Sequence, residues 1–177
     1  MEHSEEISRR KTNKLSLYAQ IGLRIMAIST AFAATWTIVT AKQTVLVFGM
    51  QFHAQYTYSP AFKFFMFANA FACGFTFFSL MFVFFSLRRG LTPKSFFVLF
   101  LHDLFMMSLM LSGVAAGTAI GYVGRYGNSH SGWTEICGYL KKYCDRVMTS
   151  MMLSYLSVVC LLVLTVISAG KSRQIKL

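Results

Sequence analysis

The chain has 177 residues, 55% of them hydrophobic, and a formal net charge of +11 at pH 7. Its apolar residues form four blocks that each exceed the roughly 20 residues needed to cross a bilayer, a pattern that excludes an ordinary soluble domain. We therefore predict an all-α membrane protein built as a bundle of four transmembrane helices. The predicted spans are residues 17–41, 61–87, 96–122 and 147–169.

The basic residues flank these blocks instead of forming one continuous stripe, which argues against a nucleic-acid partner. Ten of them fall in the N-terminal tail (1–16), the link between spans two and three (88–95) and the C-terminal tail (170–177). Six fall on the other side: five in the remaining two loops, 42–60 and 123–146, and Lys63 near the start of span two. By the positive-inside rule we expect both termini in the cytoplasm and those two loops outside.

Two charged residues lie deep inside the predicted spans, well away from the span ends, and each needs a partner because an unpaired charge at membrane depth is costly. Arg24 follows the start of span one by seven residues, and Asp103 follows the start of span three by seven. Both spans run outward, so the two side chains should lie at a similar depth and form an interhelical pair. The alternative is that Arg24 reaches the headgroups while Asp103 is protonated or faces another chain.

The first outer loop, residues 42–60, is rich in aromatic and β-branched side chains that favour extended structure. Gly49 could divide it into two short strands. Such a loop either packs on the outer leaflet or presents an edge to a partner. Ser59 and Pro60 then begin the second span as a helix cap followed by a first-turn proline.

Span two carries phenylalanines all around the helix, which predicts burial in lipid or in the bundle. Its polar exception, Asn69, is expected to make an interhelical hydrogen bond rather than to bind a ligand.

Span three carries three glycines at intervals of four residues, a spacing that allows a second helix to approach closely. They are Gly113, Gly117 and Gly121. Helix packing within one bundle is the favoured use of these glycines, and a subunit interface is the second.

The second outer loop, residues 123–146, contains Cys137 and Cys144, which oxidising conditions outside the cell would allow to form a disulfide. A free or metal-bound pair is the alternative. Residues seven apart on a straight helix are about 10 Å apart, too far for a disulfide, so the segment must bend. Trp133 and Arg146 in this loop are candidate interaction residues.

The sequence contains no phosphate-binding loop, no metal-ligand cluster, and no nucleophile with a credible base. We therefore predict no enzyme activity, no cofactor and no metal. A proton relay through His102 and Asp103 is disfavoured, because no ionisable ladder continues outward from them.

Several motifs, taken together, resemble those of the plant Casparian strip membrane proteins (CASP) and, more closely, of their CASP-like relatives. These families are related to MARVEL-type four-span proteins. The motifs that carry the resemblance are Arg24, Ser59-Pro60-Ala61-Phe62, Ala68-Asn69, Asp103, Ala115-Ala116, Gly132-Trp133, Cys137, Tyr143-Cys144 and Arg146.

This resemblance implies a plasma-membrane protein with cytoplasmic termini that forms homodimers or larger homo-oligomers and hetero-oligomers with family members. In strip-forming members it further implies a platform that restricts lateral diffusion and guides local wall deposition. Those members carry a Glu-Ser-Leu-Pro-type signature in the first outer loop, and Thr44 to Gln51 shows nothing similar. The looser label of CASP-like scaffold therefore fits better.

The leading functional hypothesis is a non-enzymatic plasma-membrane scaffold that assembles laterally into membrane subdomains, contacts lipids and works with wall-modifying enzymes. The alternative is a small channel or proton-coupled carrier that uses the buried Arg24 and Asp103. The two hypotheses differ in whether the charge pair is structural or lies on a transport path.

Overall fold

The computed structural model describes residues 2–47, 50–89 and 93–173, and within them the side chains of residues 17–46, 50–85 and 94–172. Each of its four long helices contains a stretch long and apolar enough to cross a membrane. This confirms the predicted four-span helical fold. The helices are α1 (Glu2–Thr40), α2 (Pro60–Arg89), α3 (Pro93–Tyr126) and α4 (Lys141–Arg173).

The four helices form an up-and-down bundle in which each packs mainly against two neighbours. The contacts join α1 to α2, α2 to α3, α3 to α4, and α4 back to α1. Helices α1 and α3 therefore lie diagonally across the bundle. We call the end where α1 begins and α4 finishes the terminal end, and the opposite end, which carries residues 41–59 and 127–140, the loop end.

The helices extend beyond the predicted spans because polar residues at the edge of an apolar block can continue the backbone hydrogen bonding. Helix α1 begins at Glu2, inside the predicted tail, and α4 begins at Lys141, ahead of the predicted start at 147. Helix α3 continues to Tyr126 and is followed by Gly127, whose φ of 68° is typical of a glycine that ends a helix. The predicted link 88–95 is shorter, since α2 ends at Arg89 and α3 begins at Pro93.

The first loop folds as an antiparallel hairpin of β1 (Lys42–Val47) and β2 (Met50–Gln55), with Gly49 itself outside the described residues. The Thr44 hydroxyl lies 2.8 Å from His53 Nδ1 on the opposite strand. The Tyr143 backbone N–H at the start of α4 donates to the Gln43 side-chain oxygen at 2.8 Å. The hairpin is thereby attached to the last helix.

The second loop is held by backbone hydrogen bonds to the end of α3. The Gly124 carbonyl accepts from the N–H groups of Ile136 and Cys137 at 2.9 and 3.1 Å. Asn128 and Trp133 pair as an isolated β-bridge around a short 3-10 helix. These bonds satisfy a carbonyl that the last turn of a helix leaves free.

Small residues on α1 allow α4 to come close enough for direct hydrogen bonds. The Ser150 hydroxyl donates to the Ala34 carbonyl at 2.7 Å, and the Ser157 hydroxyl donates to the Ala27 carbonyl at 2.9 Å. All four residues are buried. Such contacts are typical of helix association in membranes, where small side chains permit close backbones.

Candidate functional site

A fully buried ion pair crosses the centre of the bundle and joins its diagonal helices. Arg24 Nη2 on α1 donates to Asp103 Oδ2 on α3 at 2.7 Å, and Nη1 donates to Oδ1 at 2.9 Å. Both side chains are 0% exposed. The two parallel hydrogen bonds are the bidentate arrangement in which a guanidinium binds a carboxylate most specifically.

Two further side chains complete the cluster. Arg24 Nη1 also donates to the Ser79 hydroxyl on α2 at 2.7 Å, and His102 Nδ1 lies 3.2 Å from Asp103 Oδ1. The Ser79 contact brings a third helix into the network. A buried charge is tolerated at membrane depth only when such partners satisfy it, so the cluster fixes the relative positions of α1, α2 and α3.

Sequence reasoning missed Ser79 and Gln20. Gln20 lies one turn before Arg24 on α1, is 0% exposed, and neither of its side-chain polar atoms has a hydrogen-bond partner among the described residues. The spacing of four from Arg24 placed it on the same helix face and could have indicated its burial. The sequence carried no comparable signal for Ser79. Whether this side chain lies at the level of Arg24 depends on how the antiparallel α2 is aligned along α1.

Chemically, this cluster is suited to holding helices together. The guanidinium and carboxylate neutralise each other, and neither is exposed. A transported cation or proton would have to break two short charge-assisted hydrogen bonds to reach the carboxylate.

The three predicted packing glycines all face other helices of the same bundle. A Cβ built on Gly113 would lie 2.8 Å from the Ala68 Cβ on α2, closer than real side chains approach. One built on Gly121 would lie 3.0 Å from Met151 Cε on α4, and one on Gly117 would meet both Phe65 and Met151 at 3.5 Å. Gly113 therefore sets the α2–α3 separation most tightly.

Asn69 does not make the interhelical hydrogen bond that we expected. It is fully buried, but its Nδ2 donates to the Phe65 carbonyl, one turn earlier on the same helix, at 2.8 Å. Its side-chain oxygen has no partner among the described residues. The carbonyl at position i−4 lies within reach of the amide, and this local bond replaces the expected contact with a neighbour.

Cys137 and Cys144 form the predicted disulfide, with their Cα atoms 5.7 Å apart. The necessary bend lies between them, because Cys137 precedes α4 and Cys144 lies in its first turn. Arg146 lies on α4 rather than in the loop, and its Nη1 donates to the Thr40 carbonyl at the end of α1 at 2.8 Å. Trp133 is exposed at the loop end, beside the cavity described below.

The family model of the Casparian strip membrane protein domain matches residues 13–160. CASP-like protein 1F1 of Vitis vinifera is 54% identical over 165 residues, which cover 93% of this chain and 80% of that protein. CASP-like protein 1F2 of Populus trichocarpa is 51% identical over 166 residues, 94% of this chain and 92% of that protein.

CASP-like protein 1F1 of Arabidopsis thaliana is 38% identical over 166 residues, 93% of this chain and 95% of that protein. No solved structure matches the chain. The family model and the relatives each cover more than four-fifths of this chain, and they confirm the resemblance drawn from its motifs. The chain belongs to the Casparian strip membrane protein domain family.

Proposed function

We propose that this protein is a non-enzymatic scaffold of the plasma membrane that assembles laterally, with copies of itself and with other family members, into membrane subdomains. The family's name, and the names of its CASP-like relatives, support a role in organising local modification of the cell wall. In this role the partners are neighbouring four-helix bundles, the surrounding lipids and wall-modifying enzymes at the outer face.

One observation carries the choice of a scaffold over a carrier: the two charges in the bundle core bind each other in a bidentate pair and are 0% exposed. A transport site must offer its polar groups to a substrate from a cavity that opens to water. Here the two charged groups bind each other and connect α1 to α3. The pair therefore makes the bundle rigid, as a repeating scaffold unit requires.

The proposed orientation places the terminal end in the cytoplasm and the loop end outside. The excess of basic residues in the two tails and the link between α2 and α3 favours this orientation. The Cys137–Cys144 disulfide at the loop end supports it independently, because structural disulfides persist in oxidising compartments.

The outward faces of the helices offer a large apolar surface for lipids or for neighbouring bundles. Helix α2 contributes more exposed large apolar side chains than any other helix. Several of its phenylalanines contact each other, and Phe71 and Phe75 lie 4.5 Å apart by ring centroid. Nine phenylalanines of α2 are 40–68% exposed on the isolated bundle: Phe64, Phe67, Phe71, Phe75, Phe77, Phe78, Phe82, Phe84 and Phe85.

Lateral mobility tests the scaffold proposal directly. A fluorescently tagged full-length protein should recover after photobleaching much more slowly than a monomeric four-span control, and the purified protein in nanodiscs should elute as more than one copy. Recovery as fast as the control, together with a single copy per nanodisc, would contradict the proposal.

The carrier alternative makes a separate prediction. It requires a proton or ion flux in reconstituted vesicles that disappears when Asp103 is replaced by Asn, while the protein still folds. Under the scaffold proposal, vesicles containing the native protein show no flux above that of protein-free vesicles.

A further inference from the structure

A cavity of about 360 Å³ lies at the loop end, outside the core that the ion pair organises. The hairpin, the ends of α2 and α3, the disulfide loop and the first turns of α4 line it. Its volume falls within the range of about 300–1,000 Å³ that is usual for small-molecule sites. The cavity is therefore large enough for a ligand.

Its wall is almost wholly apolar. Phe62, Ile120 and Val147 line it where the helices emerge from the bundle, and Trp133 lines it within the loop. Gly124 lines it on α3, and a Cβ built there would meet no atom within 4 Å. A wall of this kind, at the level where the spans end, is suited to an acyl chain.

The cavity wall includes a few polar side chains, and the only Lys, Arg, Asp or Glu among the described residues that line it is basic. Arg125 lines it, and no acidic side chain lies within salt-bridge distance of this arginine among the side chains that the structure describes. The guanidinium lies 6.0 Å from the ring centroid of Tyr126 and is exposed.

The surroundings reinforce this charge. The loop end and the helix ends that adjoin it carry two acidic residues, Glu135 and Asp145, and six basic ones, so their field attracts anions. The basic residues are Lys42, Lys63, Arg125, Lys141, Lys142 and Arg146.

We propose that this cavity binds one long acyl chain that ends in an anionic head group. The acyl chain of the ligand lies against the apolar wall beside Gly124, and its head group, a carboxylate or a phosphate, pairs with Arg125. The volume lies near the lower end of the usual range and suits one chain better than two. The site is independent of the Arg24–Asp103 cluster and of lateral assembly.

Energy transfer from Trp133 to a dansyl-labelled undecanoic acid measures occupancy of this site. The chain has two tryptophans, so a Trp36→Phe background leaves Trp133 as the only donor. The full-length protein is placed in phosphatidylcholine nanodiscs and titrated with the probe. We expect saturable transfer that Gly124→Leu weakens by about tenfold or more, because the new side chain fills the cavity.

Gly74→Leu is the matched control. Gly74 is also a helical glycine whose added Cβ would meet no atom within 4 Å, but it does not line the cavity. This variant should keep the native affinity. Transfer that never saturates, or that is the same in Gly124→Leu and in the parent, would show partition into the bilayer alone and overturn the proposal.

Competition with unlabelled amphiphiles tests the head group. Palmitic acid or hexadecyl phosphate should displace the probe about tenfold better than hexadecanol, and the stronger of the two identifies the head group. Arg125→Gln should remove this preference, whereas Lys141→Gln, at an exposed cation outside the cavity, should retain it. Equal displacement by hexadecanol and palmitic acid in the native protein would refute the anionic head.

Photo-crosslinking provides a readout that needs no variant. A diazirine-bearing palmitic acid should label peptides from residues 120–148, which contribute much of the cavity wall. Unlabelled palmitic acid in excess should compete the label away. Labelling confined to the exposed phenylalanine face of α2 would instead show ordinary lipid contact and contradict the site.

Discussion

Removing one or both members of the central ion pair gives the sharpest test of the fold's energetics. Three variants are compared with the native protein: Arg24→Met, Asp103→Leu, and the two combined. Methionine and leucine are apolar residues of substantial volume, so each single variant leaves one charge in place without its partner. The double variant removes both charges.

The geometry predicts a strongly non-additive result. Both side chains are 0% exposed, so either single variant strands a buried charge, which costs about 3–5 kcal/mol of unfolding free energy. The double variant strands none and should be within about 1 kcal/mol of the native protein, because apolar replacements of buried ion pairs are often neutral or stabilising. The coupling energy in the cycle should therefore be at least about 5 kcal/mol.

Reversible unfolding in mixed micelles with increasing sodium dodecyl sulfate, followed by circular dichroism, measures these free energies. Gel filtration before each titration establishes that every variant starts as a folded species. If the cost in the double variant equals the sum of the two single costs, the pair contributes no coupling and the reasoning is wrong. Single variants within about 1 kcal/mol of the native protein would refute it as well.

Three further predictions follow from individual contacts. Ser79→Ala removes one hydroxyl acceptor from the Arg24 guanidinium and should lower the unfolding free energy by about 1.5–3 kcal/mol, measured in the same titration; an unchanged midpoint would mean that the contact contributes nothing. Gly113→Ala must push apart α2 and α3, because its Cβ would lie 2.8 Å from that of Ala68, and should lower the unfolding free energy by about 1–3 kcal/mol. The control Gly74→Ala has open space and should leave the unfolding free energy unchanged or raise it by up to about 1 kcal/mol. Equal effects of the two substitutions would refute the packing argument. Replacing both members of the Cys137–Cys144 disulfide by serine should raise the rate of hydrogen exchange in residues 127–140 and leave exchange in the buried spans unchanged. For a closed loop this short, the unfolding free energy should fall by about 2.5 kcal/mol. Unaltered exchange in the loop would show that hydrogen bonds alone hold it.

The amino-acid sequence was most informative where the bilayer itself constrains the chain. Apolar block length predicted four membrane helices, and the position of Arg24 and Asp103 within their blocks predicted matched depth. That estimate of depth did not depend on the helix ends: α1 begins at Glu2, far before its apolar block, whereas α3 begins at Pro93, close to its own. Depth follows the apolar boundary, whereas the helix ends depend on local hydrogen bonding.

Features that depend on the packing of distant segments could not be predicted in the same way. The contact of Ser79 with Arg24 depends on the register of α2, and Asn69 satisfied its donor within its own helix instead of across an interface. The cavity at the loop end combines residues from α2, α3, α4 and both loops. No periodicity in one segment encodes such an arrangement, although one of the predicted packing glycines, Gly121, lines the cavity.

The partner of Arg24 lies 79 residues later in the chain, which matters for biosynthesis. At about 5–20 residues per second, Asp103 is translated roughly 4–16 s after Arg24. During that interval α1 must wait at the translocon or in the bilayer with an unneutralised guanidinium. Helix α4, which donates hydrogen bonds to the Ala27 and Ala34 carbonyls, emerges later still. The first helix made is therefore among the last to reach its final partners, and a nascent chain stalled before Asp103 would present an uncompensated arginine to membrane quality control.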